Sequence, residues 1–328
     1  MSDGRKHRQP ARVLVTRPLP GGLEVLAGHE VVVREDGPID HGQLVSAVAD
    51  CDALICLLYD RIDADLIAAA PRLKAVANVA VGYDNIDVDA ATQAGVLVCN
   101  TPGVLDGTVA DLAVALMIAA GRRLGEAERD LRAGRWQGWD IDQYLGHDLY
   151  GATLGLIGYG RIGRTVAQRV VGFDMTVLHH CRTPTGEEGY VDELDELVTR
   201  SDFVSLHVPL TDSTCHLIGT PELERMKPTA VLVNTSRGPV VDEEALVSAL
   251  ERGTIFAAGL DVFEDEPEVH RGLLAARRAV LVPHIASASV ATRTRMARMA
   301  ASGVEEALAG RVPDNAVNPQ AWPQACET

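Results

Sequence analysis

Apolar and polar positions alternate along this chain in a pattern that repeats. Short aliphatic runs, Val13-Leu14-Val15, Val31-Val32-Val33, Ala53 to Leu58, Ala75-Val76-Ala77 and Val96-Leu97-Val98, read as buried strands. Between them lie segments with apolar residues at helical spacing, such as Gln43 to Ala49 and Ala64 to Ala70. That alternation predicts a parallel sheet wrapped by helices, complete before the middle of the chain. A second series follows, with strands expected at Leu154 to Ile157, Thr176 to Leu178, Phe203 to Val208, Ala230 to Asn234, Ala257 to Leu260 and Val280 to Val282. Thr108, with Asp111 three residues on, reads as the cap of a long helix toward Arg122, a candidate strut between two domains. A last helical stretch, Ser287 to Leu308, has no place in the second sheet and is expected to return to the first domain. The fold class expected is α/β, with two Rossmann/flavodoxin-like doubly wound parallel-sheet domains and a cleft between them. Residues 1–104 plus 288–328 would form one, and residues 105–287 the other.

The second series opens on Leu154-Gly155-Leu156-Ile157-Gly158-Tyr159-Gly160-Arg161-Ile162-Gly163. An apolar strand runs into three glycines at G-x-G-x-x-G spacing, and Val166, Ala167, Val170 and Val171 then recur at helical intervals. Gly158 permits the tight turn, Gly160 lets a pyrophosphate approach the backbone, and Gly163 lets the helix lie close to the sheet. The free N–H groups and positive dipole end of that helix suit phosphate. With a legible strand before it and helix after it, the motif predicts a dinucleotide site in residues 105–287.

Composition narrows the partners. The 328 residues carry a formal charge of −16, which argues against a nucleic-acid or anionic-membrane partner. Six cysteines without C-x-x-C or metal-ligand spacing read as reduced thiols, and no metal site is expected. The first twelve residues are polar and basic, a disordered arm rather than a signal peptide. The longest apolar run, Leu112 to Ala120, is too short to span a bilayer. A soluble, cytoplasmic protein is expected. Trp136 and Trp139 stand in a polar segment, where they either pack locally or reach a ligand or neighbouring subunit.

The second strand of the glycine-motif domain ends in Cys181-Arg182-Thr183. An NAD site would carry there an acid for the ribose hydroxyls. Arg182 instead suits a 2′-phosphate, so NADP(H) is preferred as cofactor, with NAD(H) as the alternative.

Three further segments stand at the ends of later strands: Asn234 to Gly238, Gly259 to Pro267, and Pro283-His284-Ile285. With these on view, the chain resembles the D-isomer-specific 2-hydroxyacid dehydrogenases, in particular their glyoxylate/hydroxypyruvate reductase branch. Val79 to Asp87, Asn100 to Leu105 and Ser205 to Thr211 extend the resemblance over nearly the whole chain. It implies Arg237, Glu266 and His284 as the catalytic set. The arginine fork would hold a 2-oxo acid, the imidazolium would donate a proton, and the glutamate would favour the charged imidazole. It further implies that Leu58, Val81 and Gly82, with Arg237 and His284, meet the substrate. Cofactor contacts would come from Gly158, Tyr159, Gly160, Arg161, Ile162, Gly163, Cys181, Arg182, Thr183, His207, Val208, Pro209, Thr108, Thr235, Ser236, Asp261 and Ala286, with Asp261 acting from behind the histidine. The expected activity is reduction of glyoxylate to glycolate and hydroxypyruvate to D-glycerate, in a homodimer. The alternatives are a reductase of 2-ketogluconate or another bulkier 2-oxo acid, and a dinucleotide-sensing scaffold like the corepressors of the same family.

Overall fold

The computed structural model of the protein describes residues 10–322. The expected basic arm and Cys326 therefore fall, wholly or in large part, outside the described residues. The chain divides into two compact units, one of residues up to Leu105 with those from Ser289 onward, the other Asp106–Ala288.

In the first unit, β1 (Arg12–Val15), β2 (Glu30–Val33), β3 (Ala53–Cys56), β4 (Ala75–Asn78) and β5 (Leu97–Cys99) form one parallel sheet in the order β2-β1-β3-β4-β5. β3, β4 and β5 are buried throughout, as their unbroken apolar runs require of strands covered on both faces. The helix Val290–Leu308 packs against β3, β4 and β5, opened by the Ser289 side chain, which accepts from the Thr292 N–H. Beyond it the chain docks beside β5. Fully buried Asn318 accepts from the Val98 N–H at 2.7 Å and donates to the Val96 carbonyl at 3.0 Å.

In the second unit, β6 (Thr153–Ile157), β7 (Thr176–His180), β8 (Phe203–Leu206), β9 (Val231–Asn234), β10 (Ala257–Leu260) and β11 (Ala279–Leu281) form a parallel sheet in the order β11-β10-β9-β8-β6-β7. A parallel bridge from His179 to Tyr190 adds the vestige of a further strand beyond β7. With it counted, the sheet follows the dinucleotide-binding order, in which strand order reverses beside β6. Both sheets are parallel and carry helices, so the α/β fold class read from the pattern holds.

Two expectations need correction. The long helix spans Asp106–Gly121, so Thr108 lies inside its first turn and does not cap it. Asp106 stands at its start, where a negative charge suits the helix dipole. This helix lies within the second unit, packed on β9, β10 and the helix Arg161–Arg169, and is a core helix rather than a strut. Second, the strands expected to reach Leu58 and Val208 stop at Cys56 and Leu206. Leu57-Leu58 and His207-Val208-Pro209 are thereby loop, available to a ligand.

Candidate active site

In an all-parallel sheet every carboxyl end lies on the same edge, so the loops leaving β6 to β11 converge there. The β6 loop carries the glycine motif. Gly158 has a φ of 93°, and a Cβ on it would lie 2.5 Å from the His207 carbonyl oxygen. Only glycine fits both restraints. The His207 N–H in turn donates to the Ile157 carbonyl at 2.7 Å, fastening the β8 loop to this turn. Burial pushes the His207 imidazole down to about 4, so it is neutral near pH 7, its Nε2 3.0 Å from Ser205 Oγ.

The β9 loop presents Thr235, Ser236 and Arg237. Asn234, almost fully buried, shapes it: its Nδ2 donates to the Arg237 carbonyl at 2.8 Å and its Oδ1 accepts from the Ser236 N–H at 3.0 Å. Next to Arg237, Gly238 packs directly on the Phe263 carbonyl, leaving no room for a Cβ. That contact and the Asp261 N–H donating to the Asn234 carbonyl at 2.9 Å hold the arginine loop against the β10 loop.

The β10 and β11 loops carry the acid and the imidazole. His284 Nδ1 lies 2.8 Å from Glu266 Oε2, and Oε1 of the same carboxylate accepts from the Phe263 N–H at 2.8 Å. A carboxylate can only accept, so the proton of that pair sits on Nδ1. Both side chains are mostly buried, at 20% and 13% exposure. His284 adopts a φ of 50°, unusual for a residue with a side chain and a mark of imposed geometry. Asp261 imposes it. Fully buried, it accepts from the Ile285 N–H at 2.6 Å and the Ala286 N–H at 3.0 Å. Burial raises the Asp261 pKa, against the pull of those N–H groups and of His284. With no exposed surface, Asp261 acts on its surroundings through the turn that it braces.

In the first unit, the loops after β3 and β4 are shaped by amides. Asn78 Nδ2 donates to the Gly82 carbonyl at 2.8 Å, and Asn100 Nδ2 to the Val81 carbonyl at 2.7 Å. Asn85 Nδ2 bonds the Leu57 and Asp60 carbonyls at 3.2 and 2.9 Å. Leu58, Val81 and Gly82 sit in these braced loops.

The family model described as D-isomer specific 2-hydroxyacid dehydrogenase, NAD binding domain, matches residues 114–286. A glyoxylate reductase of Korarchaeum cryptofilum is 49% identical over 319 residues, which cover 94% of this chain and 96% of the relative. The chain belongs to the D-isomer specific 2-hydroxyacid dehydrogenase family. Two solved structures of similar proteins agree with that membership. A Thermus thermophilus protein superposes with a TM-score of 0.89 at 45% identity, covering 93% of this chain and 99% of that one. An NADPH-dependent glyoxylate/hydroxypyruvate reductase of Sinorhizobium meliloti, solved with NADP and malonate, gives 0.86 at 36% identity, covering 96% and 98%.

The glycine turn of this 2-hydroxyacid dehydrogenase fits a dinucleotide. Nothing lies within 4 Å of a Cβ built on Gly160, so the backbone is open where a pyrophosphate would approach. Thr235 Oγ1 is buried and has no hydrogen-bond partner among the described residues. Arg182 and Thr183 are exposed beyond β7. The sequence reading did not single out the asparagines at 78, 85, 100 and 234. An amide at the end of a parallel strand, next to a loop of special geometry, is the signal that marks Asn78, Asn100 and Asn234, whereas Asn85 stands inside the loop that it braces.

Proposed function

We propose that the chain reduces small 2-oxo acids, glyoxylate to glycolate and hydroxypyruvate to D-glycerate, as a cytoplasmic enzyme preferring NADP(H) to NAD(H). The observation that carries this is the 2.8 Å His284–Glu266 pair, with Arg237 on the adjoining strand end. When bound, the nicotinamide supplies a hydride to the carbonyl carbon. The chain does the rest. Arg237 offers a planar fork to the substrate carboxylate and polarises the ketone. With Nδ1 engaged by Glu266, the proton given to the carbonyl oxygen comes from Nε2 of His284. Glu266 stabilises the imidazolium before transfer, and Asp261 fixes the turn that aims it. Backbone N–H groups at Val81 and Gly82 serve the carboxylate, and Leu58 lines the site against long substrates.

The NADP(H) preference rests on Arg182 standing where an acid would bind unphosphorylated ribose. The identity to relatives named glyoxylate reductase supports the substrate class. Trp136 and Trp139 are 52% and 80% exposed, with Leu131, Ile141 and Leu145 exposed around them, which supports a homodimer joined through this segment. Sedimentation of the intact chain tests that, a monomer contradicting it.

Initial rates over glyoxylate, hydroxypyruvate and 2-ketogluconate, each with NADPH and NADH, test the reaction. The expected result is kcat/KM highest for the two short acids and about tenfold or more higher with NADPH. Equal rates with NADH contradict the cofactor preference, and a faster bulky acid contradicts the substrate. Dinucleotide binding without turnover points to the scaffold.

A further inference from the structure

The loop after β7 is tied back to the glycine turn at two points. One tie is buried: His179 Nε2 lies 2.8 Å from Thr185 Oγ1, and the His179 ring stacks on Tyr159 with centroids 3.8 Å apart. Tyr159 is the residue between the first two glycines. The other tie is at the surface: Arg164 Nη1 lies 2.6 Å from Glu187 Oε2, with side chains 43% and 45% exposed. The Arg164 guanidinium also sits over the Tyr159 ring, 4.5 Å from its centroid. Tyr159 is thereby the link between Arg164 and His179, the next-to-last residue of β7. Arg164, from the helix after the glycine motif, thus shares the strand end that bears Arg182.

In a site for unphosphorylated dinucleotides, an acid near this strand end takes the adenosine ribose hydroxyls. Here the acid that reaches back to the turn, Glu187, is paired with an arginine. An ion pair so exposed contributes little and exchanges readily. A phosphate dianion offers the guanidinium more charge than a carboxylate, with the same bidentate geometry.

We propose that Arg164 is a second determinant of cofactor choice, its guanidinium leaving Glu187 for the adenosine 2′-phosphate of a bound dinucleotide. Glu187 is the competitor within the chain, holding the fork until the phosphate arrives. The inference rests on the glycine turn being the dinucleotide site, and it goes beyond the preference ascribed to Arg182.

Calorimetric titration of NADPH and NADH into the intact chain, Arg164→Gln and Glu187→Gln tests it. Arg164→Gln is expected to weaken NADPH about tenfold and to leave NADH within about twofold. Glu187→Gln is expected to tighten NADPH by about threefold. Equal weakening of both dinucleotides in Arg164→Gln, as a merely structural role would give, overturns the proposal. So does an unchanged NADPH Kd in both variants. An unmodified chain that binds neither dinucleotide sinks the reading of the turn and the exchange with it. One that binds both but reduces no 2-oxo acid sinks only the proposed reaction, because the Kd values judge the exchange alone.

Discussion

The Glu266 carboxylate is held at both oxygens, one by the Phe263 N–H and the other by His284. The carboxylate cannot turn away, so the imidazole keeps one tautomer and one orientation. His207 shows the opposite device, an imidazole kept neutral by burial. Its pKa of about 4 lies below the ordinary value near 6.5. Between these values only the unfolded chain takes up the proton, so stability is full above about 6.5 and is lost as the pH falls toward 4. Denaturant midpoints at pH 7.5 and 5 should therefore differ more in the unmodified chain than in His207→Gln. An equal loss in both would mean that His207 is not responsible.

At the scale of the element, the strand–turn–helix around the glycines separates folding from binding. Gly158→Ala places a Cβ against the His207 carbonyl at a φ of 93° and is expected to lower stability by roughly 1–3 kcal/mol for the conformation alone. Gly160→Ala meets nothing among the described residues, so its denaturation midpoint should match the parent while dinucleotide affinity falls. If the two substitutions behave alike in both measurements, the distinction is wrong. These elements were legible because buried parallel strands are continuous apolar runs and the glycines announce the turn. The helix Leu124–Arg132 was not. Its buried acids Glu126 and Asp130 are held by Arg123 and Arg135 close by and, from far away in sequence, by Arg277, which bonds both at 3.0 Å. A polar segment held by such a partner looks like a loop until the chain is folded. The bridge at Tyr190 is too short to leave a pattern, and the burial of Asp261 beneath the histidine turn appears only in the folded chain.

For the whole molecule, the strand ends of the second unit gather residues that lie far apart in the sequence, from Gly158 to His284. The net charge of −16 repels anionic substrates at a distance, so the proposed function needs local donors, the role proposed for Arg237 and Arg182. No helix among the described residues is long and apolar enough to cross a membrane. The chemistry assigned to the chain hangs on His284 as the proton donor. Measuring kcat/KM for glyoxylate reduction in His284→Ala, with the NADPH Kd beside it, tests this most directly. A fall of about 10²- to 10⁴-fold with the Kd within about twofold is the result expected. Turnover close to that of the unmodified chain would contradict it.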